Sequence, residues 1–187
     1  HNPCGKLCVS IPKNAGQIPV HYNRTQISYT RKYIYVDNLP LYPFGYGLSY
    51  TDFAYRNLTI TPEQTGANSE FVIEFELGNV GEVAGAEVPQ LYIRDLFASR
   101  TRPVKELKGF AKVFLEPQEW KKVRFTLSTD QLAFYDHELN LCVEPGTFVI
   151  MIGSSSEDIK LKAEVEITGE KYLVSGERTY FSKVVIS

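Results

Sequence analysis

A two-residue hydrophobic period constrains this chain more than any other feature. In Glu70-Phe71-Val72-Ile73-Glu74-Phe75-Glu76-Leu77, the side chains of Phe71, Ile73, Phe75 and Leu77 fall on one side, and Glu70, Glu74 and Glu76 on the other. Such alternation belongs to a β-strand with one buried face. Lys121-Lys122-Val123-Arg124-Phe125-Thr126-Leu127 repeats it, and so does Lys160-Leu161-Lys162-Ala163-Glu164-Val165-Glu166-Ile167. Further strand candidates are Phe53 to Thr61, Ala86 to Arg94, Lys108 to Leu115 and Thr147 to Ile152. Turn formers separate them: Gly78-Asn79-Val80-Gly81, Glu116-Pro117-Gln118-Glu119, Glu144-Pro145-Gly146 and Gly153-Ser154-Ser155-Ser156. About seven strands at this spacing, with no sustained helical period, imply an all-β antiparallel sandwich. A Cys-Trp-Cys core pattern is missing, which argues against an antibody-type domain.

Three zones follow, expected as domains at 1–40, 41–168 and 169–187. The first is rich in Pro, Gly, Asn and Tyr and holds one short apolar run, Leu7-Cys8-Val9-Ser10-Ile11, closed by Pro12. It reads as one strand followed by an extended connector, and so long an irregular stretch is expected to pack against something else. The second zone is the sandwich. The third carries Tyr172, Leu173, Val174, Tyr180, Phe181, Val184, Val185 and Ile186, too apolar for a free tail. It is expected to add an edge strand or to dock on a partner surface.

With 187 residues and 43% hydrophobic content the chain can bury a core, and its net charge is −2. That balance gives no reason to expect nucleic acid or an anionic membrane as partner, and no apolar run is long enough to span a bilayer. Cys4, Cys8 and Cys142 are too few for a disulfide framework, and no second ligand pair accompanies Cys4 and Cys8, so no metal or cofactor is expected. A glycosidase needs two carboxylates flanking the scissile bond. Glu74 and Glu76 share a strand face, as do Glu164 and Glu166, but these are polar faces with nothing to desolvate them. His1, His21 and His137 are dispersed, and Gly45-Tyr46-Gly47 lacks the third glycine of a phosphate loop. No catalytic constellation is visible.

The stretch Leu41-Tyr42-Pro43-Phe44-Gly45-Tyr46-Gly47-Leu48-Ser49-Tyr50-Thr51-Asp52-Phe53 combines a Pro-initiated turn, two glycines and aromatics that need burial. Further along come Leu77-Gly78-Asn79-Val80-Gly81, Val88-Pro89-Gln90-Leu91-Tyr92-Ile93, Arg102-Pro103-Val104-Lys105-Glu106-Leu107-Lys108-Gly109-Phe110, Leu132-Ala133-Phe134-Tyr135-Asp136, and Val143-Glu144-Pro145-Gly146-Thr147-Phe148. In this order and spacing they resemble the fibronectin type III-like domain of family 3 glycoside hydrolases, the β-glucosidase and β-xylosidase group. Upstream, Asn2 to Pro12 and Gly16-Gln17-Ile18-Pro19-Val20 resemble the end of that family's α/β-sandwich domain.

The resemblance implies a non-catalytic C-terminal domain, because the family's nucleophilic aspartate lies in an N-terminal barrel. It implies as partners the barrel and the α/β-sandwich, and as the parent's substrate a β-glucoside or β-xyloside. Tyr42, Pro43, Phe44, Gly45, Tyr46, Gly47 and Tyr50 become candidates for a domain interface. Pro89 departs from the family pattern, and having no N–H it should lie on an edge or at a bulge. The competing class is a stand-alone carbohydrate- or protein-binding module, for which an exposed Trp120 would be the natural platform.

Overall fold

The computed structural model describes residues 1–26, 37–176 and 178–187. The two-residue period resolves into strands β1 (Phe53–Thr61), β2 (Gln64–Gly66), β3 (Glu70–Asn79), β4 (Gly85–Glu87), β5 (Gln90–Asp95), β6 (Glu106–Phe110), β7 (Val113–Leu115) and β8 (Trp120–Ser128). After the short 3-10 turn Thr129–Leu132 come β9 (Phe134–Tyr135), β10 (Leu141–Val143), β11 (Gly146–Gly153), β12 (Ile159–Thr168), β13 (Tyr172–Leu173) and β14 (Lys183–Ile186). Four strands in the order β1-β3-β8-β14 make one sheet, and five in the order β2-β12-β11-β5-β6 make the other. Pairing is antiparallel except between β2 and β12.

The alternation read from the sequence is the alternation of burial. Phe71, Ile73, Phe75 and Leu77 of β3 and Val123, Phe125 and Leu127 of β8 meet Leu91, Ile93, Phe148, Ile150, Ile152, Val165 and Ile167 from the opposite sheet in one core. Aromatic stacking runs through its middle, with Phe75 between Tyr55 and Phe125 at centroid distances of 6.1 and 6.2 Å. On the solvent side, Glu74 is bonded by Arg124 and Lys122, and Glu76 by Arg56. These hydrogen-bonded cations hold both carboxyls below their ordinary range, the behaviour of a solvated ionic face rather than of a general acid.

Three strand readings change. The run Ala86 to Arg94 is broken at Val88-Pro89, and β4 pairs with β7 while β5 enters the larger sheet between β11 and β6. Pro89 therefore stands at neither an edge nor a bulge. Lacking a donor, it marks the step where the chain leaves one sheet for another. Lys108 to Leu115 splits in the same way between β6 and β7. Leu7 to Ile11 makes no continuous strand: Leu7 bonds Tyr46 and Gly45, Ile11 bridges Tyr42, and the chain bends between them.

The last zone closes the sandwich. β14 pairs with β8, β13 pairs with β10, and Ser182 Oγ donates to Lys108 O at 2.8 Å. Lys171 anchors this zone to the buried Asp136, which also accepts the backbone N–H groups of Glu138 and Asn140, both at 2.9 Å. The Lys171 hydrogen bond, aided by those amides, holds the Asp136 carboxyl down at about 2.

A folded value below the unfolded value of about 3.9 means stabilisation that is complete above about pH 4 and fades as pH falls toward 2. Lys171→Met is expected to lower stability above pH 4 and to flatten its decline from pH 4 to 2. Urea midpoints measured across pH 2–6 check this; curves that stay parallel to those of the unsubstituted chain would count against the assignment.

Candidate docking face

The five-stranded sheet has an inner face in the core and an outer face that would be expected to be wet. Yet β11 is buried on both sides over its second half, and Tyr92 of β5 is completely buried although its neighbours Leu91 and Ile93 already fill the core. Residues 1–26 and the turn 42–50 supply the cover. Tyr22 stacks on Phe44 with ring centroids 4.2 Å apart and meets Tyr92 edge-on at 5.9 Å. Tyr22 Oη also accepts Leu107 N–H at 3.2 Å. Burial pushes the phenols of Tyr22 and Tyr92 up, so both stay neutral donors and acceptors.

The turn itself is held by Gln90. Its Nε2 donates to Gly45 O at 3.1 Å and to Ser154 O at 2.7 Å, while its Oε1 accepts Tyr92 Oη–H. Gly45 has φ +81°, and a Cβ there would lie 2.0 Å from Gln90 Oε1, so both the backbone and the space require glycine. Gly47 is likewise pressed on Gly5, where a Cβ would meet the Gly5 carbonyl oxygen at 2.3 Å. Farther along, Asn2 donates to Ala84 O and accepts from Ser49 Oγ and Tyr50 N. Lys6 pairs with the buried Glu87 at 2.7 Å.

The seven residues singled out from the sequence therefore divide. Phe44 and Gly45 point inward, joining the N-terminal segment to the sandwich. Pro43 closes the tight turn by accepting Tyr46 N–H at 3.1 Å, and Gly47 allows the approach of Gly5. Tyr42 and Tyr46 lean on each other with ring centroids 5.0 Å apart. Tyr42 and Tyr50 remain exposed, with Tyr50 at 75%, and beside them stand Leu41, Leu48, Val9 and Ile18. Exposed apolar side chains on a turn fixed in this way make it a candidate contact surface.

Below Tyr22 and Phe44 lies an apolar hollow of about 400 Å³ bounded by Cys8, Val9, Pro12, Ile18 and Pro19. Sequence reading gave the turn. It did not give Gln90, Tyr22 or Lys6 as members of the site: Gln90 bonds Gly45 and Tyr22 bonds Leu107, 45 and 85 residues away in sequence.

Trp120 is no open platform. It sits on Gly78 so closely that a Cβ there would meet the indole at 2.3 Å, and the Arg56 guanidinium lies 3.7 Å over the ring. The ring is thus half-buried against the sheet with a cation over it, rather than open to solvent. Among the described residues no group of three or more His, Cys, Asp or Glu is placed to hold a metal ion.

Two packed sheets with this turn and seam define the class: residues 87–156 match the fibronectin type III-like domain. Over most of its own length the chain is also similar to β-glucosidases and β-xylosidases, one of them a family 3 enzyme. It is 43% identical over 164 residues to a β-xylosidase of Formosa agariphila, covering 86% of this chain and 23% of that protein. Among solved structures it superposes with a TM-score of 0.85 on a β-glucosidase from Listeria innocua in complex with glucose, at 39% identity, covering 90% of this chain and 25% of that one. A Bifidobacterium adolescentis family 3 β-glucosidase matches with a TM-score of 0.72 at 31% identity, over 89% of this chain and 26% of that one. The chain thus spans about a quarter or less of the length of the relatives it matches.

Proposed function

We propose that this chain serves as a non-catalytic structural domain of a family 3 glycoside hydrolase, bracing the domains that hydrolyse a terminal β-glucosidic or β-xylosidic bond. One observation carries the reading: nearly all of this chain matches, yet it accounts for only 23% and 25% of a β-xylosidase and a β-glucosidase. The exposed row Leu41, Tyr42, Leu48 and Tyr50 supports it, since it lies on a turn held rigid by Gln90. In this reading residues 1–40 belong to the end of the parent's α/β-sandwich domain, 41–168 to the fibronectin type III-like sandwich, and 169–187 to an extension that seals its side. Glu74 and Glu76 on the solvent face are ion-paired and screened, which does not suit them to protonating a leaving group.

The chain alone should release no nitrophenol from nitrophenyl β-glucoside or β-xyloside above the blank. Sustained turnover by the purified chain would refute the proposal. Affinity electrophoresis in soluble glucan and xylan tests the binding-module reading alongside it. Because the Arg56 guanidinium already lies over the Trp120 ring, an unretarded band is expected.

A further inference from the structure

Residues 96–105 connect β5 to β6 as a loop without regular structure of its own, the kind of segment that is normally mobile. This one is fastened along its length. Leu96 N donates to Thr147 O at 3.2 Å, Ser99 N to Glu144 Oε2 at 2.9 Å, and Ser99 O meets His137 Nε2 at 3.0 Å. Arg100 donates to Asp136 O at 2.8 Å. The Arg102 side chain, 9% exposed, donates to Leu132 O and Glu106, lies 3.9 Å from Asp95 and covers the Phe134 ring. Pro103 bridges Thr25, and Val104 N donates to Arg24 O, so the loop continues directly into the segment that carries Tyr22.

What this scaffold holds up is Phe97, 81% exposed. Fixing a phenylalanine in water contributes nothing to the stability of this chain and exposes apolar surface. Beside it is a hollow of about 350 Å³ whose walls include Arg94, Arg100 and Arg102. Asp95, the one carboxylate in the wall, is raised by burial and already faces Arg102. Arg94 forms no ion pair among the described residues. An exposed aromatic beside a hollow with three arginines in its wall is the composition of an interface anchor.

We propose that the loop 96–105 is a second contact of this domain with the rest of the parent polypeptide, Phe97 seated in an apolar recess of that surface and a carboxylate from it entering the Arg94–Arg100 hollow. This rests on the reading of the chain as one domain of a longer glycosidase. Three observations select that occupant: the matched relatives are about four times longer than the part this chain covers, the hollow is cationic, and the loop is continuous with the seam at Tyr22.

The test compares Phe97→Ala and Arg94→Glu in the isolated chain and in the parent enzyme by thermal unfolding. Phe97→Ala should leave the isolated chain unchanged, because its ring touches no core there. In the parent, each substitution should lower the first transition by about 4 °C or more, the effect of losing an interface anchor. Equal effects in the two contexts, or no effect in the parent, overturn the inference. Leu48→Ser on the turn face separates the two claims. If it lowers the parent's transition while the loop variants are silent, only the loop contact fails; if all three are silent in the parent, the bracing role fails with it.

Discussion

Phe125→Ala is expected to lower the stability of this chain by about 3–5 kcal/mol, the range of phenylalanine truncations in packed cores. Phe125 lies in the second-last strand of the four-stranded sheet, opposite Ile73 on β3 and Val184 on β14, with no exposed surface. Its ring stacks toward Phe75 and runs beneath Gly109, where even an added Cβ would sit 3.0 Å from Cδ1. Truncation therefore opens a cavity that touches both sheets and the C-terminal closure at once, and few neighbours are free to collapse into it. The same geometry predicts a coupling. Gly109→Ala should destabilise the unsubstituted chain through overpacking, yet cost less or nothing once Phe125 has become alanine. A double-mutant cycle from urea unfolding reads both numbers, and strictly additive effects would show that Gly109 and Phe125 do not share that space.

Asn79→Ala should cost nearly as much, about 3–5 kcal/mol, for a different reason. The side chain is fully buried and serves four partners. Oδ1 accepts Thr51 Oγ1–H at 2.7 Å and Gly81 N–H at 3.1 Å, while Nδ2 donates to Val83 O at 2.8 Å and Leu115 O at 3.3 Å. Removing the amide leaves donors and acceptors from three segments unpaired, those of Thr51 and Leu115 in a buried place, where each unmade bond costs about 1–3 kcal/mol. For a chain of this size the loss corresponds to a fall in Tm of about 10 °C, measurable by calorimetry. Asn79→Asp should fail to rescue it: the carboxylate keeps an acceptor for Thr51 but offers no donor to Val83 and Leu115, and it buries a charge. An Asn79→Asp variant as stable as the unsubstituted chain would mean that the Nδ2 bonds contribute little.

The strands that face water on one side were legible because polarity alternates with burial along them. In β3 and β8 every apolar position of the two-residue period is a core position. Legibility fails where the second face is also covered. Tyr92 looks like an outward position of β5, yet it is buried, with Tyr22, 70 residues away in sequence, lying against it; Met151, its partner on β11, is buried beside it. Local periodicity carries no signal for such a cover, although the run Phe148-Val149-Ile150-Met151-Ile152, apolar at both parities, hints at it.

The docking turn was recognised from its Pro, Gly and aromatic content, but the division between inward Phe44 and outward Tyr50 depends on the positive φ of Gly45 and on Gln90. The loop 96–105 passed unnoticed as a site, since most of its fasteners come from Leu132 to Thr147 and from Arg24 and Thr25, and leave no local pattern.

The order of strands also sets a timetable. The four-stranded sheet joins residues 53–61 at one end to residues 183–186 at the other, and Lys122 exchanges backbone hydrogen bonds with Ser187. During synthesis β1, β3 and β8 can pair while the flank of β8 and the core beneath Phe125 stay uncovered, and that flank is capped only when β14 has emerged. The nascent chain therefore passes through a stage with an open, apolar sheet edge, the form most prone to pair with a neighbour. Cotranslational chaperone capture should be strongest between completion of β8 and release of β14, a window of about 55 residues, or several seconds at ordinary elongation rates.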